Sequence, residues 1–328
     1  MKKRPFRGTV LTAESGCASV RIMLERARRK TTIRLVSAAL LLGGLLVSQQ
    51  ASAAEDPKWP GLPLGPICLN GKPCQYTGVR TVGLQETARA KQWMRLPAVI
   101  MAANVNVTSV RPPPPSEFSV ILGFTNLLYV VSPAGASKPY GEFPPVTVRI
   151  AAFGAIPVEA TVHVSQVRDD SDLPVPIRLF QDVRFVRFRG YQIAGDTEGS
   201  GEVYVRVSDL KVDGVPVDLG ASCVTATPAR LDLVGKGYTT GGGAPPRDPN
   251  VNFSAALGGP LNGMIDLPAF TGCGVGSENL SPMVTGLVSG PDNPVLMKVS
   301  RAERACFPGS VYSKCPILDP FPFPNRED

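Results

Sequence analysis

The stretch Val203-Tyr204-Val205-Arg206-Val207, followed by Lys211-Val212-Asp213-Gly214-Val215-Pro216-Val217, reads as a strand running into a hairpin. Valine at every second position puts one face of an extended segment on a core and turns the other away from it. Asp213-Gly214 then supplies the two positive φ angles that a two-residue type I′ turn requires. Pro216 cannot donate to a ladder on both sides, so the returning strand is expected at a sheet edge. The same period recurs outward from this stretch at Val105/Val107, Val146/Val148/Ile150, Ala160/Val162/Val164 and Leu231/Leu233. Gly and Pro, 33 of each, punctuate the chain at short intervals. The pattern predicts an all-β chain of antiparallel sandwich architecture, in two Ig-like or jelly-roll-like modules stapled by disulfides. Gln85 to Met94 is the one helical candidate of any length, short and weakly patterned.

Residues 1–53 carry the marks of an export leader. A basic stretch (Arg26, Arg28, Arg29, Lys30, Arg34) precedes an apolar run from Leu35 to Val47, and Ala51-Ser52-Ala53 supplies a small-residue cleavage pattern. The apolar run is shorter than the roughly 20 residues needed to span a bilayer, so the expected product is exported and not an integral membrane protein. Met23 offers an alternative start that gives a leader of ordinary length. The twin Arg28-Arg29 lacks a strong apolar pair after it, which favours the general secretion route. Removing the leader leaves 24 Lys and Arg against 25 Asp and Glu, so the +7 of the whole chain largely belongs to the leader. Nucleic-acid binding, which draws its affinity from neutralised phosphates, is therefore not expected.

The remaining 275 residues divide, by composition, into four parts. Residues 54–78 form a Pro-rich N-terminal segment, 79–200 a β-rich domain, 201–304 a C-terminal β domain and 305–328 a Pro-rich tail. Pro112 to Pro115 reads as a surface connection, since it offers no backbone donors. Asp196, Glu198, Gly199 and Gly201 suggest a polar turn at the domain break, and Gly241-Gly242-Gly243 to Pro249 a long loop.

From Ser208 onward several blocks stand in a fixed order. They are Asp213-Gly214-Val215-Pro216-Val217-Asp218-Leu219-Gly220-Ala221-Ser222-Cys223, then Asp266-Leu267-Pro268-Ala269-Phe270-Thr271-Gly272-Cys273-Gly274, then Ser289-Gly290-Pro291-Asp292-Asn293. This order resembles the C-terminal region of uncharacterised secreted proteins of actinobacteria. The resemblance covers roughly 100 residues and is judged by the motifs in context. It implies an envelope-associated or secreted protein and no particular activity.

Of the seven cysteines, Cys17 leaves with the leader, and Cys68, Cys74, Cys223, Cys273, Cys306 and Cys315 remain. An even set in an oxidising compartment points to structural disulfides, with fifteen connectivities open. Cys223 follows a strand pair and Cys273 sits in a Gly-rich turn, so a bridge between them would staple two strand segments. In the loop-entropy account that closure contributes roughly 3 to 4 kcal/mol. Cys68 with Cys74, and Cys306 with Cys315, could each close a short loop. Ser289 to Asn293 reads as the turn of a further hairpin.

Chemistry-bearing residues are sparse. His163 is the sole histidine and falls on the polar register of Glu159, Thr161 and Ser165, where a solvent-facing strand residue is expected. Ser208-Asp209-Leu210-Lys211 matches the Ser-x-x-Lys spacing of penicillin-binding enzymes, but in a strand serine and lysine do not share that helical geometry. Leu267-Pro268-Ala269-Phe270-Thr271-Gly272 brushes against a sortase signal and carries one residue too many. Asp169, Asp170 and Asp172, and Asp196, Glu198 and Glu202, are read as solvated turns in preference to calcium loops. No cofactor, metal site or catalytic residue is assigned. Arg184, Arg187 and Arg189, interleaved with Phe185 and Phe188, form the one locally basic aromatic stretch, read either as a charged edge strand or as a strip binding an anionic cell-wall polymer. The expected function is that of a non-enzymatic secreted protein that binds, or packs into, the cell envelope, with a cell-wall polymer or another envelope protein as partner. The alternative is a hydrolase acting on envelope carbohydrate through a carboxylate pair.

Overall fold

The computed structural model of the protein describes residues 59, 61–63, 75–87, 89, 91–111, 119–186, 191–241, 244, 246–303, 306, 316–319, 322 and 324. The leader, the Pro112–Pro115 run, Cys68, Cys74, Cys315, Arg187 and Arg189 lie outside these residues.

Alternating apolar residues produce strands over nearly the whole described chain. In order they are β1 (Thr77–Thr87), β2 (Gln92–Arg111), β3 (Ser119–Val130), β4 (Val146–Ala152), β5 (Ile156–Gln166), β6 (Ile177–Val186), β7 (Tyr191–Val212), β8 (Val215–Val217), β9 (Val224–Thr225), β10 (Ala229–Gly235), β11 (Tyr238–Thr240), β12 (Gly259–Leu267), β13 (Phe270–Thr271), then helix α1 (Ser281–Val288) and β14 (Gly290–Val299). All named strands pair antiparallel within a single sheet. The path β10-β12-β14-β1-β2-β3-β6-β7 closes on itself, because β7 also pairs β10 from Thr197↔Gly235 to Val203↔Ala229. Closure gives the ring strands neighbours on both sides over part of their length, while β4, β8 and the 92–99 end of β2 keep an edge without a ladder partner among the described residues.

β7 is the element that makes the ring possible. Its first half pairs β6 on one edge, from Val186↔Tyr191 to Arg178↔Ser200. Its second half leaves that ring to pair β5, from Gln166↔Val203 to Val158↔Val212, and β5 carries β4 outward. The β4–β5–β7 layer thus lies across one core from the layer formed by β10, β12, β14, β1 and β2, a sandwich-like arrangement drawn from one continuous sheet.

Several expectations hold. Asp213 (φ 49°) and Gly214 (φ 78°) form the hairpin between β7 and β8, and β8 pairs β7 alone, as Pro216 requires of an edge. The all-β class and the Cys223–Cys273 bridge are both present, the bridge closing 50 residues.

Others are corrected. Gln85 to Met94 is no helix but the hairpin joining β1 to β2, from Gln85↔Met94 to Thr87↔Gln92. The helix lies at Ser281–Val288, opened by Pro282 in its first turn, with Val284 and Leu287 buried. The segment after it therefore enters β14 directly instead of forming a second hairpin. The polar turn expected at Gly195–Gly201 is strand, because β7 runs unbroken through the boundary at 200/201, and Ala53–Asp328 form one compact unit. Alternation explains the error: Asp196, Glu198 and Ser200 are exposed on one face of β7, whereas Ala194, Thr197 and Val203 are buried.

A second, smaller apolar cluster sits on β2 and β3, where Trp59 packs with Ala102, Tyr129 and Tyr140. Tyr76 meets Tyr129 edge-on at 5.9 Å between centroids and donates its hydroxyl to Pro63 O at 3.0 Å. Burial pushes Tyr140 up to about 12.

Candidate functional site: an apolar cavity behind an unpaired seam

Packed sheets lie about 10 Å apart, and a layer of valines facing another does not fill that space completely. Here the β4–β5–β7 layer presents Val146, Val148 and Ile150, then Val158, Ala160, Val162 and Val164, then Val203, Val205 and Val207. Met94 and Leu96 of β2, Ile265 and Leu267 of β12, and Val295 and Met297 of β14 face them, with Val284 and Leu287 of α1 at one end. Between them is a cavity of about 140 Å³. Thr81, Gln85 and Thr87 are among the few polar residues on its wall, and no Asp, Glu, Lys, Arg or His lines it. A cavity whose lining carries no ionisable side chain can hold hydrocarbon.

One wall of the cavity is discontinuous. β2 pairs β3 only from Met101 onward, and β4 pairs only β5, so the outer edge of β2 at 92–99 and the outer edge of β4 have no ladder partner among the described residues. These two edges face each other, and the side chains flanking them, Met94, Leu96, Phe143 and Val146, are half-buried and line the cavity. The gap is pinned at both ends. At one end Gly141 N donates to Val130 O at 2.8 Å, and Gln166 N to Gly141 O at 2.8 Å. At the other, the Gln92 side-chain amide takes the place of a peptide group: Ala151 N donates to its Oε1 at 3.0 Å, and its Nε2 donates to Ala151 O at 3.5 Å. A side-chain amide here makes the two bonds that a backbone rung would make in a paired ladder. Pro97 on β2 and Pro144-Pro145 just before β4 offer no N–H with which the edges could zip together.

The residues singled out from sequence do not converge on this place. Cys223 and Cys273 are joined at 2.06 Å and buried, beside α1, where Cys273 N donates to Ser281 Oγ. Cys306 is buried and disulfide-bonded, and the pairings proposed for Cys68, Cys74 and Cys315 fall outside the described residues. Arg184 is half-buried on β6, which is an internal strand between β3 and β7, so its charge does not guard a sheet edge. Asp169 accepts from Ser171 N and Leu173 N within its own turn, and Asp172 pairs with Lys138 and Arg168. Among the described residues no group of three or more His, Cys, Asp or Glu could hold a metal ion.

His163 finds neighbours that superficially suggest chemistry. Its Nε2 lies 3.0 Å from Ser208 Oγ, and Ser208 Oγ donates to Asp209 Oδ2 at 2.8 Å. In a nucleophilic triad the carboxylate orients the histidine, which takes the serine proton. Here the carboxylate takes that proton's hydrogen bond itself, so Nε2 must be the donor to Ser208 and cannot serve as its base. Lys211 is engaged with Glu159 at 2.8 Å and not with Ser208, which disposes of the Ser-x-x-Lys match.

Compared with protein families, with curated proteins and with solved structures, the chain matches none. Gln92, Pro97 and Pro144-Pro145, which border the seam, were not singled out from the sequence. The prolines were the available signal: in strand-rich sequence they mark where pairing stops.

Proposed function

We propose that the chain is exported and acts outside the cytoplasm as a non-enzymatic binding protein that takes up a hydrocarbon group in the cavity between the β4–β5–β7 layer and β1, β2 and β14. The observation that carries this reading is the wall itself, predominantly apolar and free of ionisable groups. Export is supported by the leader pattern of residues 1–53 and by the buried Cys223–Cys273 bridge, which persists only in an oxidising compartment. The resemblance of the C-terminal blocks to secreted actinobacterial proteins is in keeping with a partner in or near a cell envelope. For polymer binding by the arginine strip there is no comparable support, since Arg187 and Arg189 lie outside the described residues. Carbohydrate hydrolysis would need an acid pair at the site, and this cavity has none.

Calorimetric titration of the mature protein with decanoate tests the reading. We expect one site per chain in the parent and loss of binding in Ala160→Leu, which projects extra bulk from the wall into the cavity. Absence of saturable binding by the parent, or equal binding by Ala160→Leu, overturns it.

A further inference from the structure

We propose that the seam between the unpaired edges of β2 and β4 is the port of this cavity, that the Gln92–Ala151 contact is its latch, and that the ligand is a single unbranched alkyl chain whose polar end stays at the seam. The proposal rests on the binding reading above and adds the route and the ligand's shape.

Three observations lead to it. The cavity wall is hydrogen-bonded strand through β5, β7 and the ring, is closed at one end by α1, and is interrupted where the outer edge of β2 at 92–99 faces β4. Pro97 lies within this stretch of β2 and Pro144-Pro145 stand just before β4, so the chain carries three positions beside the interruption that have no backbone N–H to donate across it. The Gln92 amide links the two edges at this end, and it belongs to a side chain, which can rotate away without breaking any backbone ladder. At the other end the link is backbone to backbone, Gly141 N to Val130 O, and is reinforced by buried Gln166, whose Oε1 accepts from Val130 N at 2.8 Å and whose Nε2 donates to Leu128 O at 3.0 Å. Opening is therefore expected at the Gln92 end.

Shape selects the ligand. A dry cavity of about 150 Å³ accommodates benzene, so the roughly equal space here takes about six carbons. A fused four-ring skeleton exceeds it about threefold. A slot between two strands admits an extended chain end-on, and the apolar flanks Met94, Leu96 and Val146 give it a continuous hydrocarbon path.

The test uses the mature protein and straight-chain carboxylates from butanoate to dodecanoate. Affinity should rise about fourfold per methylene over the first carbons and flatten near octanoate, where the cavity is full. Exchange of carboxyl-labelled decanoate, followed by NMR, should be at least about fivefold faster in Gln92→Ala, with the dissociation constant changed far less; Gln92→Asn, whose amide is one carbon shorter, should fall between. Thr285→Val, which removes the Phe270 N to Thr285 Oγ1 bond at 2.9 Å, loosens the α1 end instead and should leave exchange unchanged. Acceleration in Thr285→Val and not in either Gln92 variant would move the port to α1 and overturn the proposal. A parent that binds no carboxylate overturns the binding reading and the port together, whereas a parent that binds with exchange indifferent to Gln92 overturns the port alone.

Discussion

From Thr197 to Val203, β7 is paired on one edge with β10 and, as far as Ser200, on the other with β6; beyond Val203 it pairs β5 and its inner face looks into the cavity. The two halves differ in what the chain places opposite them. At the first half, Gly199 and Gly263 let neighbours come so close that a Cβ on Gly199 would sit 2.6 Å from Leu179 Cδ2, and one on Gly263 2.0 Å from Asp232 O. Leu179, Leu233 and Leu261 fill the space those glycines leave, each at most 2% exposed. At the second half there is no such alternation of large and small: valine faces valine, and Ala160 leaves room unused. Native packing density demands complementary shapes, and where they are absent a void or a ligand takes their place.

The largest way to disturb this contrast is to cut the staple at the cavity end. The Cys223–Cys273 bridge ties β9 to β13, and β13 is held to α1 through Thr285. Cys223→Ser with Cys273→Ser should lower stability by about 3–4 kcal/mol through the loop of 50 residues that it frees. Denaturant unfolding of the double variant against the parent measures this. A loss below about 1 kcal/mol would mean that the strand network alone holds that end.

Opposite responses to added volume sharpen the comparison. Gly263→Ala puts a methyl against a backbone oxygen in the closed ring, which cannot move without disturbing the β10–β12 ladder, and should cost about 1–3 kcal/mol. Ala160→Leu adds three carbons to a place that has space and should be neutral or stabilising by up to about 1 kcal/mol. Thermal unfolding of both separates the cases. Equal destabilisation would show that the cavity end is packed as tightly as the ring.

The parts that were legible in the sequence are those with a local cause. Alternating valines gave strands, Asp213-Gly214 gave a hairpin, and Pro216 an edge, because each acts through its own backbone or its immediate register. Closure of the ring depends on pairing β1 with β14 and β7 with β10, contacts that carry no mark in either partner's sequence. Acidic and glycine residues between 195 and 202 imitate a turn when read along the chain; across the sheet they are the solvated face of β7 and the close approach to Leu179 and Leu233. The cavity escaped for the same reason. It lies between residues whose shortness matters only once they are known to face each other.

The smallest effect concerns the outer face opposite the cavity, where β5 and β7 hold the chain's one histidine. Desolvation and then the Arg206 charge hold His163 below the usual imidazole range, outweighing Asp209 and Glu142, which act the other way. The unfolded chain therefore binds a proton before the folded one as the medium is acidified. Whatever stability the group contributes is present above its unfolded pKa of about 6.5 and is lost as pH falls below it. Asp209, hydrogen-bonded by Ser208 and Thr161, and Glu159, bound by Lys211 and Arg149, are both held below the usual carboxylate range and stay ionised through this window. Because His163 is only partly buried, the melting temperature should drop by only about 1 °C or less between about pH 7.5 and about pH 5.5. His163→Gln should remove the drop while keeping a donor toward Ser208. Should the variant melt with the same pH dependence as the parent, the titrating group lies elsewhere, and the His163–Ser208–Asp209 cluster is a neutral contact of the sheet surface.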